Sequence, residues 1–416
     1  MFMSEDLQQL IDEAEKQIEF KLKEVDKNID FNQWKVLEVF RKHKVSDYHF
    51  NDSTGYGYND RGREVLDQVY AEVFGAEAAI VRPHFVSGTH TLNTALFGVL
   101  RPGDHLLFIT GKPYDTLHNV IGKAGDGLGS LQDYGIHYDA VELQSDGTVD
   151  WEQVNEKINK NTKVIGIQRS RGYEWRSAFT VKEIKTMSEK VKSIKPELIV
   201  FVDNCYGEFT EKTEPTQAGA DLIAGSLIKN PGGGIVSTGG YIAGRKEYVE
   251  LASYRLTAPG IGGEVGAMLG TTRSIYQGLF LAPHFVGQAL KGSIFAASMF
   301  EKIGFTTHPN WKDRRSDLIQ AIQFDHSDQL ISFVQSIQKA SPVDAHVVPE
   351  PWDMPGYDHP VIMGAGTFIQ GGSLELSADG PIRQPYIAYM QGGLTYSHCK
   401  YAVINAVRDM LYSVKT

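Results

Sequence analysis

Cysteine is nearly absent from this sequence. Of 416 residues only Cys205 and Cys399 carry a thiol, too few for a disulfide framework and at no metal-ligand spacing. No N-terminal stretch reads as a secretory signal, so a reducing cytoplasm is the expected location. Long apolar runs are missing as well, none approaching the ~20 residues that a membrane span needs. A basic excess is missing too: Lys and Arg number 41 against 51 Asp and Glu, a formal charge of −10. With no dense Lys/Arg run, nucleic acid is not an expected partner, although a local basic pocket for a phosphate stays open. There is no internal repeat and no low-complexity tract. What is present is an ordinary globular balance, 42% hydrophobic and 22% charged. The length suits two or three domains at ~150 residues each, and 42 glycines predict many tight turns around a site.

Leu7, Leu10, Ile11, Ala14 and Ile18 recur at helical spacing in a charged segment of about 4–44. That segment has too little apolar surface to fold alone and is expected to pack on another domain or subunit. The Gly55–Gly62 stretch, rich in Gly and Tyr, reads as a loop, and a helix from Arg63 to Phe74 should stop at Gly75. His105–Ile109, Lys163–Ile167 and Leu198–Val202 read as buried strands, and the lysine-rich Val181–Ser193 as a helix. This alternation predicts a mostly parallel sheet covered by helices, with functional groups on loops at the C-terminal ends of the strands. Beyond about 290 the pattern is less regular, with a Pro/Gly-rich loop at Glu350–Tyr357 and a final helix after Tyr396. The expected division is an N-terminal helical segment (1–50), a large domain (51–290) and a smaller C-terminal domain (291–416).

Four local patterns carry chemistry. Five apolar residues lead into Asp203, which puts a carboxylate at a buried strand tip, where it needs a cation or a protonated ring nitrogen. Lys229 follows Leu227-Ile228 and precedes Asn230-Pro231-Gly232-Gly233-Gly234, a turn that no helix or strand interior tolerates. Burial there would lower its pKa and expose a nucleophilic amine suited to a Schiff base. The spacing is not that of a nucleotide-binding loop, because the lysine precedes the glycines. Ser87-Gly88-Thr89 opens an apolar helical stretch, and a helix N-terminus with hydroxyls suits an anion. Tyr114 sits in a turn just after a strand, where a planar ligand could stack. Each has a plainer reading: a capping or salt-bridged Asp203, a solvated Lys229, an ordinary N-cap at Ser87, a packing Tyr114. Their order along one chain is what joins them. No G-x-G-x-x-G follows the first strand, which argues against a dinucleotide fold. The scattered carboxylates form no metal cluster.

On these stretches, and on Gly172-Tyr173-Glu174-Trp175-Arg176-Ser177 and Gln384-Pro385-Tyr386 with Gln391-Gly392-Gly393-Leu394-Thr395, the sequence resembles the fold-type-I pyridoxal-phosphate enzymes of Cys/Met metabolism. Within them it is most similar to the cystathionine beta-lyase-like (methionine gamma-lyase-like) proteins named for aluminium resistance, over roughly residues 45–400. The resemblance implies an α/β, aspartate aminotransferase-like fold. That fold has a mostly parallel sheet of the seven-stranded type in its large domain and a smaller α+β C-terminal domain. It implies pyridoxal 5′-phosphate bound as an aldimine on Lys229, which then moves the substrate Cα proton. Asp203 would hold the ring nitrogen, and Tyr114, at a catalytic position, would stack on the ring. Ser87, Gly88, Thr89 and Ser226 would bind the phosphate, joined by Tyr56 from a neighbouring subunit. Tyr58 stands near where relatives carry an arginine and is assigned with Arg383 to the substrate; Arg61 is the nearest substitute, and Arg383 also reads as a surface arginine. One of Gln168-Arg169-Ser170-Arg171 would approach the cofactor's phenolic oxygen.

The expected function is a carbon–sulfur lyase, by β- or γ-elimination, on an amino acid such as cystathionine, cysteine or methionine. The same cofactor residues would equally serve transamination, racemisation or aldol cleavage, or a low-turnover stress protein that only binds the cofactor. A homo-oligomer is expected, a dimer at the least and a tetramer by the same resemblance.

Overall fold

Short apolar runs become strands here because a run buried on both faces needs no polar alternation. The computed structural model describes residues 5–123, 126–354 and 359–412, so position 4 and the end of the Pro/Gly-rich loop, 355–357, lie outside the described residues. β1 (Ala78–Arg82), β2 (His105–Phe108), β3 (His137–Ala140), β4 (Thr162–Gln168), β5 (Ile199–Asp203), β6 (Leu222–Ser226) and β7 (Gly240–Gly244) form one sheet. Its order is β1-β7-β6-β5-β4-β2-β3. Only the pairings of β7, with β1 and β6, are antiparallel. β2, β4 and β5 are the three strands expected from the sequence.

The helices are α1 (Glu5–Lys42), α2 (Arg61–Val73), α3 (Gly88–Val99), α4 (Asp115–Ile121), α5 (Trp151–Lys157), α6 (Val181–Ile194), α7 (Lys246–Leu256), α8 (Thr272–Lys302), α9 (Ser327–Lys339) and α10 (Tyr396–Tyr412). Local chemistry sets their ends. The Asp60 side chain caps α2 by accepting from Arg63 N, and Gly75 at φ +65° provides the left-handed residue that ends it. Thr180 and Glu183 form a reciprocal capping box on α6.

α1 finds its partner within its own chain. Leu7, Ile11, Ala14, Ile18, Val25, Val36 and Val39 are buried, and the helix lies along α8. Gln33 Nε2 donates to Phe280 O at 2.9 Å, and Lys291 pairs with Asp26. Position 290 falls inside α8, which leads to a second, antiparallel sheet. That sheet comprises β8 (Thr306–His308), β9 (Gln320–Phe324), β10 (Val361–Gly364), β11 (Ser377–Pro381) and β12 (Tyr386–Gln391), in the order β10-β11-β12-β9-β8.

The turn after Lys229 is held by a backbone-to-backbone approach. A Cβ at Gly278 of α8 would strike the Gly232 carbonyl oxygen and stand 2.8 Å from Val236 Cγ2. Neither the helix nor the turn has a side chain that can yield. Gly278→Ala is therefore expected to lower the unfolding free energy by about 1–3 kcal/mol, the usual cost of overpacking. Urea titration checks it, and a loss below about 0.5 kcal/mol would show that α8 and the turn move apart freely.

Candidate active site

β2, β4, β5 and β6 run parallel, so their C-terminal ends share one edge, and each passes directly into a loop that carries a polar group. These loops, the start of α3 and the second sheet enclose a cavity of about 440 Å³. Ser87, Gly88, Thr89, Tyr114, Asp203, Ser226 and Lys229 all line it. These seven come from four separate stretches of the sequence, and the fold brings them together.

Asp203 ends β5 and is 8% exposed. Burial raises its pKa, Lys229 opposes that, and its Oδ1 accepts from Cys205 N at 3.1 Å. Lys229 Nζ stands 4.2 Å from the centre of the Tyr206 ring. Burial works to lower its pKa, yet Cys205, Tyr206, Asp203 and Glu208 around it carry it above the usual lysine value. This corrects the expectation that burial would lower it, because the acidic neighbours outweigh desolvation. Burial also pushes the Cys205 and Tyr206 groups up, and Asp203 is the carboxylate whose pKa Lys229 in turn lowers.

Ser87 caps α3 by accepting from His90 N at 3.1 Å, and the first intrahelical bond runs from Thr91 N to Ser87 O. The N–H groups of Gly88 and Thr89 precede that bond, in the usual position for anion binding. Ser226 Oγ is buried, with no hydrogen-bond partner, and Gly88 leaves room beside it. An orphaned hydroxyl, a helix N-terminus, an acid and a lysine in one cavity fit a cofactor with a phosphate, a ring nitrogen and an aldehyde.

Tyr114 immediately precedes α4, and its backbone N donates to Gln168 Oε1 at 2.5 Å. Of the four-residue run that begins at the last residue of β4, Gln168 and Ser170 line the cavity, whereas Arg169 and Arg171 do not. Arg169 is buried against Glu211 at 3.2 Å and Glu214 at 3.5 Å, and Arg171 Nη1 donates to His308 O at 2.6 Å. Tyr56, Tyr58 and Arg383 are not among the lining residues. The two tyrosines stack on each other at 5.5 Å with 73% and 64% of their surface exposed, and Arg383 is exposed in the turn between β11 and β12.

Among the lining residues to which sequence reasoning gave no role are Tyr173, Tyr206, Asp379 and Tyr389. The legible signal was Asp379, an acid set among small residues in a buried strand. Among the described residues no group of three or more His, Cys, Asp or Glu is placed to hold a metal ion, and no helix is long and apolar enough to cross a membrane.

A mostly parallel seven-stranded sheet with an acid and a lysine at its strand ends, joined to a small antiparallel sheet, defines the fold-type-I pyridoxal-phosphate enzymes. A family model for methionine gamma-lyase matches residues 7–411, and the chain belongs to that family of carbon–sulfur lyases. It is 58% identical to the Bacillus subtilis protein YnbB over 390 residues, 94% of this chain and 93% of that one. It is 59% identical to a Bacillus cereus protein of known structure, with a TM-score of 0.95 over 97% of this chain and 99% of that one. A carbon–sulfur lyase involved in aluminum resistance from Clostridium novyi is 50% identical, with a TM-score of 0.94 over 98% and 96% of the two chains.

Beneath the cavity lies a buried polar layer. Tyr241 Oη donates to Glu208 Oε1 at 2.8 Å while Glu208 Oε2 has no partner. Burial pushes the Glu208 carboxyl from 4.5 to about 8. Between those values the folded chain keeps a proton that the unfolded chain has lost, so stability falls as pH rises through the window. Glu208→Gln is expected to shrink the difference in Tm between about pH 6 and about pH 9, measured by calorimetry. An unchanged difference would mean that Glu208 is already ionised at neutral pH.

Proposed function

We propose that this chain is a pyridoxal-phosphate-dependent lyase that cleaves a carbon–sulfur bond in a sulfur-containing amino acid. The convergence of Lys229, Asp203 and the orphaned Ser226 hydroxyl on one enclosed cavity carries this reading. When bound, pyridoxal phosphate supplies an aldehyde that condenses with amines and a protonated ring that draws electrons away from Cα. Asp203 would hold the ring nitrogen in its protonated form, its buried carboxylate gaining the cationic partner that burial demands. Ser226, Thr89 and the first N–H groups of α3 would hold the phosphate. Tyr114 would stack against the ring, with Gln168 fixing its backbone.

Lys229 is the attachment point and the general base. The carboxylate that favours its ammonium form is the one a ring nitrogen would engage, so occupation of the site releases the amine for nucleophilic attack. Freed again by the substrate's amine, Lys229 Nζ removes the Cα proton, and the departing sulfur group is lost from Cβ or Cγ. Cystathionine, cysteine and methionine are the substrates this reading covers.

The assembly is a homo-oligomer, a dimer at the least. The stacked Tyr56–Tyr58 pair stands out from a loop joined to the 257–270 segment by Gly266 N donating to Tyr56 O at 2.9 Å. Leu269 of that segment and Val86 at the cavity are 68% and 77% exposed. A second copy of this chain would cover these side chains and bring Tyr56 toward the neighbouring site. The cytoplasm suits the two free, buried thiols.

Two measurements test this function. Borohydride is expected to bleach the visible band of the protein purified with its cofactor and leave the cofactor fixed on the peptide containing Lys229, and Lys229→Ala is expected to remain colourless. A wild type that stays colourless with added pyridoxal phosphate would sink the reading. Ser226→Ala is expected to raise the cofactor Kd by about 10–100-fold, as a lost charge-assisted hydrogen bond does. An unaltered Kd in fluorescence titration would place the phosphate elsewhere.

A further inference from the structure

The second sheet puts a carboxyl into the cavity that neither the cofactor residues nor Lys229 account for. Register pairs Met363 of β10 with Asp379 of β11, and Asp379 with Tyr389 of β12. Residues directly opposite on antiparallel strands share a face, and all three line the cavity that holds Lys229 and Asp203. Asp379 is 5% exposed and shares a hydrogen bond with the Tyr173 side chain. Tyr173 in turn lies edge-on to Tyr114, with ring centres 5.8 Å apart, and its backbone carbonyl accepts from Tyr389 Oη at 2.6 Å.

Titratable groups approach Asp379 from three sides: Tyr389 on β12, Tyr173 after β4 and Tyr206 after β5. On its fourth side, toward α9, the β11 backbone meets Leu330. Arg383 and Glu174 act on Tyr389 without lining the cavity. Among the described lining residues Lys229 is the one lysine and there is no arginine. A buried acid set among tyrosines favours its neutral form, and a neutral carboxylic acid donates a proton. Burial pushes the Asp379 carboxyl to about 7, with the Tyr173 hydrogen bond opposing it.

Resting on the lyase reading above, we propose that Asp379, oriented by Tyr173, is the acid that protonates the sulfur leaving group. Lys229 takes the Cα proton, and the Cα–H electron pair becomes a Cα=Cβ bond. The Cβ–S bond breaks with its pair going to sulfur. The Asp379 proton moves to that sulfur, leaving a neutral thiol and a carboxylate, and the proton held by Lys229 returns to Asp379 through solvent. A neutral thiol leaves the enclosed cavity readily, whereas an alkyl thiolate would be expelled into a site already holding carboxylates.

The test compares two S-conjugates of cysteine on the holoenzyme. One releases an alkyl thiol, which needs a proton to leave; the other releases a nitrothiophenolate, which does not. Asp379→Asn is expected to lower kcat for the alkyl conjugate by about 10²–10⁴-fold and to leave the nitrothiophenyl conjugate within about fivefold of wild type. In wild type, kcat for the alkyl conjugate is expected to fall as pH rises through about 7, where the donor loses its proton. The cofactor-free protein gives a second readout. The infrared difference between wild type and Asp379→Asn is expected to show a protonated-carboxyl band that fades over the same pH range.

If Asp379→Asn does not fold, Tyr173→Phe keeps the acid but removes the hydrogen bond that lowers its pKa, and the falling limb is expected to move to higher pH. Equal losses on both conjugates, no protonated-carboxyl band at about pH 6, or an unmoved limb in Tyr173→Phe would each overturn the role of Asp379. A wild type that carries its cofactor on Lys229 yet frees no keto acid from either conjugate would overturn the lyase reading, and this role with it.

Discussion

A carboxylate buried at the end of a parallel strand is costly unless a cation answers it, and Asp203 meets that demand with Lys229. The surrounding structure keeps those two groups together out of water. β5 delivers Asp203 to the sheet edge; β6 and the turn after it deliver Lys229, pressed into place by the bare backbone of α8. The loop after β5 is tied across to the second sheet region, where Tyr206 Oη donates to Gly372 O at 2.7 Å. Tyr206 adopts φ +68°, an unusual conformation for a bulky residue, and that bend lays its ring beneath the lysine.

Below this pair, polar groups rather than apolar ones form the floor. Arg169, Asn204, Glu208, Glu214 and Tyr241 are linked by hydrogen bonds and ion pairs in the interior. Such a layer is costly to assemble but permits few alternative packings. Gly207 has no space for a side chain, since a Cβ there would stand 2.5 Å from Arg169 Cδ. The loop carrying Cys205 and Tyr206 is therefore pinned from beneath by Arg169, one of the four side chains among which the resemblance left the cofactor's phenolic oxygen contact open.

The two sheets divide the chemistry between them. The parallel sheet supplies the residues that suit a phosphate, a ring nitrogen and an aldehyde, all from loops at one edge. The antiparallel sheet supplies Met363, Asp379 and Tyr389 from the face of its strands. A substrate held at Lys229 would lie between them, its Cα toward the first and its side chain toward the second. On the proposed lyase reading, that division gives the lysine and the second-sheet acid separate tasks within one cavity.

Much of this was readable from the chain. The strand runs His105–Ile109, Lys163–Ile167 and Leu198–Val202, the stop at Gly75, the amphipathic face of α1 and the turn after Lys229 are local patterns. Local patterns survive translation into structure because steric and hydrophobic constraints act over a few residues. The loops after the three strands read from the sequence could be assigned to one edge because parallel strands align their ends. Other features were set by contacts distant in sequence. Arg169 went to Glu211 and Glu214 rather than the cavity, and Arg383 stayed at the surface. Lys229 kept a raised affinity for its proton because acidic groups from other segments surround it. Asp379 became part of the cavity only when strands far along the chain folded over the first sheet. The sequence alone determined the local elements named above and the identity of the acid and lysine that the site uses. Which charges face one another, and so which groups hold their protons, was decided by tertiary packing, because electrostatic interaction depends on distance and burial and not on position along the chain.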